Sequence, residues 1–558
     1  MDNKTIARIF KLCGQLMELY NENPFRTKAM ASAAFKIDKL PFAAADADME
    51  QLSAQQGIGK NTAERIKQVV ETGSFPELDE LKAKTPVGIM EIMQIKGLGP
   101  KKVQVIWKDL EIESVGELYY ACNENRLIEA KGFGLKTQED IKKAIEFMLS
   151  NKGWFLYAKA APAAKNILEL LTASLPQNRV SFTGDYRRNV EVLSQVELLV
   201  DADIDRLQQA VTAVSDTVTR ADDNSYISFV DSNNFKFVLH SCTPDVYASK
   251  LFLTTGSAAH LALIKALDAD FVASGNTEQE IYHSLGLAFI EPELREGLDE
   301  IELAKTNSLP SLITFEDLKG TLHNHSTYSD GVHSLAEMAR YCKEELKLEY
   351  LGICDHSKTA VYANGLSVER LSEQWAEIDA LNAKMAPFKI FKGIESDILS
   401  DGSLDYPDEI LAQFDFVVAS VHNNLKMDET KATARLLKAI ENPYTTILGH
   451  PTGRLLLARA GYPLDFKKII DACAANQVVI EINANPLRLD LDWRWHRYAL
   501  DKGVILAINP DAHRTEGLSD MHYGVLVARK GGLAKEKCLN ALALPEIEKY
   551  FANRRTKI

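Results

Sequence analysis

The placement of histidine constrains this chain more than any other feature. The first 239 of its 558 residues contain none, and nine of the twelve histidines fall between His323 and His522. That stretch alternates short apolar runs with segments that carry apolar residues at helical spacing. Seven runs stand out, at 318–323, 350–356, 388–395, 414–422, 445–450, 478–483 and 504–513. Rich in β-branched and aromatic residues, they suit strands buried on both faces of a parallel sheet. About seven strand–helix units predict a barrel. Six of the seven runs end on residues that ligate metals. His323 and His325 close the first, with Asp330 in the loop beyond. His356, Glu395, His422 and His450 close the next four, and Asp511 with His513 close the last. The C-terminal rim is where barrel loops build active sites, so six imidazoles and three carboxylates are expected to converge on one mouth. Nitrogen and oxygen donors without sulfur suit Zn²⁺, Mn²⁺ or Fe²⁺, and nine donors suit two or three ions. His333, His496 and His522 end no run and read as structural histidines.

Composition limits the rest. The length predicts three or four domains. With 64 Lys+Arg against 78 Asp+Glu the net charge is −14, which argues against a wholly basic DNA coat protein but not against a local phosphate site. Hydrophobic residues at 46% and charged residues at 25% argue against a largely disordered chain. No apolar stretch is long enough for a transmembrane helix, and the N-terminus does not read as a signal peptide. Seven scattered cysteines without a CxxC pair fit a reducing cytoplasm and exclude a thiolate zinc finger.

From residue 316 onward the motifs HNHSTYSD, CDHS, KGIES, SVHNN, GHPTGR and NPDAHR occur in the order found in the polymerase-and-histidinol-phosphatase (PHP) domain family, which this segment resembles. The resemblance implies a distorted (β/α)₇ barrel, a three-metal site formed by the nine residues above, and phosphoesterase chemistry. Clustered divalent cations neutralise phosphate oxygens and lower the pKa of bound water. Glu395, a lone carboxylate among imidazoles, is the expected bridge between two ions. Arg454 and Arg459, just past His450, are expected to clamp substrate phosphate; a solvated helix face is the alternative for that pair.

The first 150 residues carry three glycine hairpins: Gly57 and Gly59 with Lys60, then Lys96, Gly97 and Gly99 with Lys101, then Gly132 and Gly134 with Lys136. Paired glycines permit a tight turn, and the helix that follows offers free N–H groups and a positive dipole end to an anion. The stretches resemble helix-hairpin-helix motifs, which grip DNA backbone phosphate without reading sequence. This region, with 21 Lys+Arg and 22 Asp+Glu, is near neutral and is no basic arm, so its DNA affinity is expected to be modest and salt-dependent. Around Pro24, Phe25 and Arg26 it resembles the small N-terminal domain of family X DNA polymerases. Where lyase-active members place a Schiff-base lysine, this chain has Arg65, whose guanidinium stays protonated and is no nucleophile.

The segment VSFTGDYRR at 180–188 resembles the nucleotidyltransferase signature. That resemblance places metal-binding aspartates at positions held here by Gln195, Glu197 and Val238, and a serine where Asp185 follows Gly184. Arg187 and Arg188 are candidate contacts to DNA or phosphate, with a solvated turn as the simpler reading. A polymerase scaffold is therefore expected to persist with degenerate chemistry. A linker is expected at 304–315.

The whole chain resembles the bacterial family X DNA polymerases. The expected division is a small helical domain with the first hairpin at 1–80, a helical domain with the other two at 81–150, a degenerate α+β polymerase core at 151–304, and the PHP barrel at 316–558. The expected function is a metal-dependent 3′→5′ exonuclease of DNA repair, acting on gapped, nicked or single-stranded DNA. Its rivals are a working gap-filling polymerase using Glu197 and Asp201, a non-catalytic DNA-binding scaffold with a structural metal cluster, and a phosphatase for a small ester.

Overall fold

The computed structural model describes residues 1–555 apart from positions 41, 96, 129, 151, 152, 213 and 216, so Lys96 lies outside the described residues. The chain divides into two units, Met1–Glu146 and Phe147–Ile558. Among the described residues no helix is long and apolar enough to cross a membrane.

The first unit is helical. Its opening helix, Asn3–Leu19, is capped by the Asp2 side chain and buries Ile6, Phe10, Cys13 and Met17. Phe10 packs against Phe75 with ring centroids 5.3 Å apart. The three hairpins share one backbone solution. The first glycine of each pair has positive φ, 83° at Gly57, 92° at Gly97 and 87° at Gly132, a region that other residues occupy only with strain. Gly59 and Gly99 then cap the helices Lys60–Thr72 and Pro100–Gln104, the latter continuing to Asp109. Neither cap offers a side chain to the first N–H groups.

In the second unit a five-stranded sheet runs in the order Val180–Thr183, Val196–Val200, Lys236–Ser241, Tyr226–Val230, Val218–Arg220. Only its central pair, Val196–Val200 with Lys236–Ser241, is parallel. This is the α+β core. Beyond it lie seven parallel strands in sequential order: β1 (Gly320–Thr321), β2 (Tyr350–Ile353), β3 (Lys389–Asp397), β4 (Phe416–Ser420), β5 (Ile447–Leu448), β6 (Val479–Asn483) and β7 (Leu506–Asn509). Each coincides with one of the seven runs, β3 extending two residues past its own. The intervening helices Leu335–Glu344 and Val368–Met385 begin at Ser334 and Ser367, whose hydroxyls accept the first-turn N–H bonds.

The barrel does not close by a regular ladder between β1 and β7. An isolated parallel bridge joins Asn324 to Ala512, and Asp511 N–H donates to His323 O at 3.1 Å. Asn540 fills the seam lower down, donating to Gly320 O at 3.2 Å and accepting from Ile508 N–H at 2.7 Å. The interior below the rim is apolar. Phe416 stacks on Phe551 of the final helix, centroids 5.2 Å apart, and Phe391 meets the same ring edge-on. A Cβ on Gly352 would come within 2.6 Å of Phe416 Cζ, so glycine there makes room for the plug.

Residues 304–315 are no free linker: Ala304 lies inside the helix Glu300–Lys305, and Ile313 is buried with its N–H donating to Leu533 O at 2.9 Å. Leu312 is half-buried beside Ile313 because the barrel surface supplies a partner segment at Ala534. The core and barrel also share a polar seam. Lys530, 2% exposed, donates to Arg188 O at 3.0 Å, pairs with Glu296 and lies over the Trp493 ring at 4.5 Å. Trp493 Nε1–H donates to Glu191 at 3.1 Å.

Replacing Phe551 with alanine removes the plug that Phe391 and Phe416 pack against. Truncating a buried phenylalanine costs about 3–5 kcal/mol. The expected outcome is a lower denaturation midpoint in a urea titration followed by tryptophan fluorescence.

Candidate metal centre

All nine residues marked by the sequence meet at the C-terminal mouth of the barrel, and each is buried or nearly so. Glu395, at the rim end of β3, stands at their centre. Its Oε1 lies 2.9 Å from His450 Nε2, 3.1 Å from His422 Nε2 and 3.3 Å from His323 Nε2. Its Oε2 lies 3.0 Å from His356 Nδ1 and 3.6 Å from His325 Nε2. Asp330 faces His513 Nε2 at 3.3 Å and His356 Nε2 at 3.5 Å. Asp511 faces His325 Nε2 at 3.0 Å.

Among the described residues of this unit, three overlapping sets have donor atoms within 4.8 Å of one another: His325, Asp330, His356 and His513; His323, His325 and Asp511; His356, Glu395 and His422. The donors fit divalent cations on a second ground. His323 Nε2, His325 Nδ1, His450 Nδ1, both His356 ring nitrogens, Asp330 Oδ2 and Glu395 Oε2 are buried without a well-directed hydrogen bond. Buried polar atoms left this way are costly, and a cation is the partner that several lone pairs can share.

Electrostatics separates the donors. Burial works to raise the Glu395 carboxyl, but His422, His323 and His356 overrule it and hold it well below the usual carboxylate range. Asp330 and Asp511 are held low in the same way by their imidazole neighbours. His323, His356 and His422 are raised, because nearby carboxylates outweigh burial. His325 is pushed down to about 3 by burial and by His513 and His356. His450 is lowered by burial and then by Arg488.

The carboxylates behind these ligands were not among the residues that the motifs marked. Glu481 of β6 accepts at 2.8 Å from His323 Nδ1 and from the His450 N–H. Asp397, two residues past Glu395, bonds His422 Nδ1. Both point the opposite ring nitrogen, Nε2, toward Glu395. Outer carboxylates commonly set the tautomer and orientation of ligating histidines. The available signal was strand parity: Asp397 shares a face with Glu395, and Glu481 is a charge set between the apolar Ile480 and Ile482.

The arginines expected to clamp phosphate have other work. Arg454 donates from Nε to Arg488 O at 2.9 Å, also to Leu489 O, and pairs with Asp492. Arg459 donates to Gly453 O at 2.8 Å. Both spend donors on nearby backbone carbonyls, which a linear motif does not reveal.

In the α+β core, Glu197 and Val238 are register partners on the parallel central strands. Glu197 bonds His240 Nε2 at 2.8 Å. Its Oε1 would stand 2.5 Å from a Cβ placed on Gly184. Burial raises the Glu197 carboxyl, but bonds from His240 and Gln195 bring it below its ordinary value. Asp185 pairs with Arg188, which also bonds Glu296 at 2.9 Å and Thr255 O at 2.7 Å. Arg187 pairs with Glu278 at 2.5 Å. Neither arginine is a solvated turn residue; both are drawn into partly buried ion pairs. Asp201 is held by Arg179 at 2.7 Å.

At the hairpins, Lys60 is the first residue of its helix, and Lys101 and Lys136 are the second residues of theirs. A Cβ on Gly59, Gly97, Gly99, Gly132 or Gly134 would meet nothing within 4 Å, so these turns present bare backbone at an open surface. Arg65 pairs with Glu77 at 2.7 Å and lies over the Phe75 ring.

Comparison with known proteins bears on each region. Residues 1–75 match the helix-hairpin-helix domain model, residues 89–146 the SAM-like helix-hairpin-helix tandem, and residues 321–485 the PHP domain. The DNA polymerase/3′-5′ exonuclease PolX of Bacillus subtilis (strain 168) is 33% identical over 99% of this chain and 99% of its own length. A probable phosphatase of Thermoanaerobacter sp. (strain X514) is 26% identical over 42% of this chain and 95% of its own. A further probable phosphatase, of Clostridium acetobutylicum, is 29% identical over 34% of this chain and 78% of its own.

The raised imidazoles give a pH dependence with a definite sign. Protons held on His323, His356 and His422 must leave before their nitrogens can ligate, so cation affinity rises with pH and falls on acidification. Calorimetric Mn²⁺ titrations in two buffers of different ionisation enthalpy are expected to show net proton release at pH 7. Identical heats in both buffers would contradict this assignment.

Proposed function

The chain belongs to the bacterial family X DNA polymerases that carry a C-terminal PHP domain, and we propose that it acts chiefly as a metal-dependent 3′→5′ exonuclease of DNA repair. The family supports an enzyme with phosphoesterase or exonuclease activity that binds DNA through its helix-hairpin-helix regions. The observation that carries the nuclease reading is the convergence of nine nitrogen- and oxygen-donor residues, Glu395 at their centre, on one barrel mouth.

The nine residues would hold two or three divalent ions, with Mn²⁺ or Zn²⁺ the best match to the donor set and Fe²⁺ or Mg²⁺ also compatible. When bound, such ions supply charge neutralisation at the phosphodiester and a more acidic attacking water. The chain's own contribution is positional. Glu395 offers an oxygen to each half of the cluster, Glu481 and Asp397 fix the rings of His323 and His422, and the apolar plug around Phe416 keeps solvent out of the barrel beneath. The hairpins at Gly57–Lys60, Gly97–Lys101 and Gly132–Lys136 hold gapped, nicked or single-stranded DNA by its phosphates. The labour divides among four domains: 1–80 and 81–150 hold DNA, 151–304 supports it, and 316–558 cuts it.

The core then serves as a platform. At the positions of its catalytic carboxylates stand Gln195, Glu197 and Val238, and Glu197 is already bonded to His240. Glu197 alone is no two-metal site. The polymerase named in the Bacillus subtilis relative favours a second reading, gap-filling synthesis by the same core.

Two measurements separate these readings. With Mn²⁺ and 3′-labelled single-stranded or gapped DNA, Glu395→Ala and His422→Ala are each expected to lower exonuclease rate by about a hundredfold or more. Equal rates in wild type and both variants would leave a structural cluster on a non-catalytic scaffold. Primer extension on gapped DNA is expected to give no incorporation. Incorporation that disappears on Glu197→Ala would establish the polymerase instead.

The hairpins give a third expectation. Replacing Lys60, Lys101 and Lys136 together with alanine weakens DNA binding at every sequence alike. It also flattens the slope of log K against log salt by about 0.9 for each duplex phosphate that is no longer neutralised. Fluorescence anisotropy across a salt series reads both.

A further inference from the structure

Asp355 lies two residues past β2, directly before the candidate ligand His356, and has no exposed surface. Its carboxylate accepts five hydrogen bonds. Oδ1 takes the Ser326 N–H at 2.8 Å, the Ser329 N–H at 3.2 Å and the Ser329 hydroxyl. Oδ2 takes the Ser326 hydroxyl at 2.7 Å and the side-chain amide of Gln374, buried in the helix Val368–Met385, at 2.6 Å. Four of the five bonds come from one short loop, and that loop joins two candidate ligands. Ser326 follows His325, and Ser329 precedes Asp330.

The loop is where this part of the mouth needs support. Of the set His325, Asp330, His356 and His513, three members lie at or beside strand bridges. Asn324 pairs with Ala512, which holds His325 and His513, and His356 pairs with Glu395. Asp330 sits instead in the turn 327–330. That turn is folded on Ser326, whose carbonyl accepts the Ser329 and Gly331 N–H groups at 3.1 and 3.0 Å. A Cβ on Gly331 would stand 2.6 Å from the Ser326 carbonyl carbon, so the turn is closed tightly. Whatever fixes Ser326 and Ser329 therefore fixes Asp330. The Asp355 backbone is itself tied to the central strand, its carbonyl accepting the Glu395 N–H at 3.2 Å. A carboxylate that only needed burial could be satisfied by any donors. These donors come from both sides of one turn and hold it to the strand that bears Glu395.

We propose that Asp355 is a positioning residue for one ion of the cluster: it fixes the loop between His325 and Asp330, so that Asp330 stands ready beside His356 and His513. The inference rests on the metal-centre reading above and deepens it. Groups that orient ligands from behind commonly set metal affinity without touching the metal.

The test uses the full chain, stripped of metal by chelation, as wild type, Asp330→Ala, Asp355→Ala, Asp355→Asn and the double variant Asp330→Ala with Asp355→Ala. Mn²⁺ is titrated by calorimetry, and a urea titration of each metal-free protein reads its fold. Wild type sets the reference binding steps. Loss of such an outer partner costs about ten- to a hundredfold in metal affinity, so Asp355→Ala is expected to weaken one Mn²⁺ step by that factor and leave the others unchanged. The double variant is expected to bind no more weakly than Asp330→Ala, because Asp355 acts through the aspartate already removed. Asp355→Asn keeps the Oδ1 acceptor of both N–H bonds and is expected to lose only several-fold; it decides the matter if the alanine variant does not fold. Affinity equal to wild type in the Asp355 variants that fold overturns the proposal. An equal loss at every step overturns it too, as does a double variant whose losses add, because Asp355 would then support the fold in general. If wild type takes up no Mn²⁺, the metal centre falls and this proposal falls with it. If wild type binds Mn²⁺ in the expected pattern yet cuts no DNA, the nuclease reading falls while the role of Asp355 stands.

Discussion

The barrel mouth is built around one buried carboxylate. Glu395 puts five imidazoles within 3.6 Å of its two oxygens. No hydrophobic packing would tolerate that concentration of polar groups at near-zero exposure without strong mutual compensation. The surrounding strands explain how it is tolerated. A parallel barrel delivers the C-terminal ends of its strands to one face, so residues far apart in sequence arrive side by side with their backbones already fixed. Glu481 and Asp397 then take the outward ring nitrogens of His323 and His422, leaving the inward ones for the cluster.

Much of this was legible from residues alone, for a physical reason. A strand buried on both faces must be apolar nearly throughout, so a histidine or carboxylate at its end stands out sharply. That contrast marked His323, His356, Glu395, His422 and His450, and the repeating strand–helix rhythm placed them on one rim. The glycine hairpins were legible because positive φ at the first glycine demands that residue type. What stayed hidden depends on who meets whom across the fold. Arg454 and Arg459 follow a ligand histidine in sequence, yet their donors reach backbone carbonyls close by. Arg187 and Arg188 sit in a glycine turn that reads as exposed, yet Glu278 and Glu296, about a hundred residues away, draw them in. Residues 304–315 have the composition of a linker, and only the barrel surface at Leu533 and Ala534 makes them structured.

The same contrast runs through the α+β core. Its scaffold is preserved down to the parallel pairing of the two central strands, which sets Glu197 beside Val238. Inside that scaffold the polar side chains have closed on one another: Glu197 with His240, Asp185 with Arg188, Asp201 with Arg179. These mutual pairings support the platform role proposed above. At the barrel mouth the opposite holds, since several donor atoms there lack any well-directed partner.

The seam at Lys530 ties these two regions together at the level of folding. Its ammonium group is neutralised by Glu296 and roofed by Trp493, so half of its environment comes from the core and half from the barrel. Cutting the chain between them would strand an amine built to be dry and expose an indole built to be covered. A barrel excised on its own would carry a sticky, mischarged flank. The barrel end of this chain is for that reason not a portable module, even though its nine candidate ligands all lie within the last 240 or so residues.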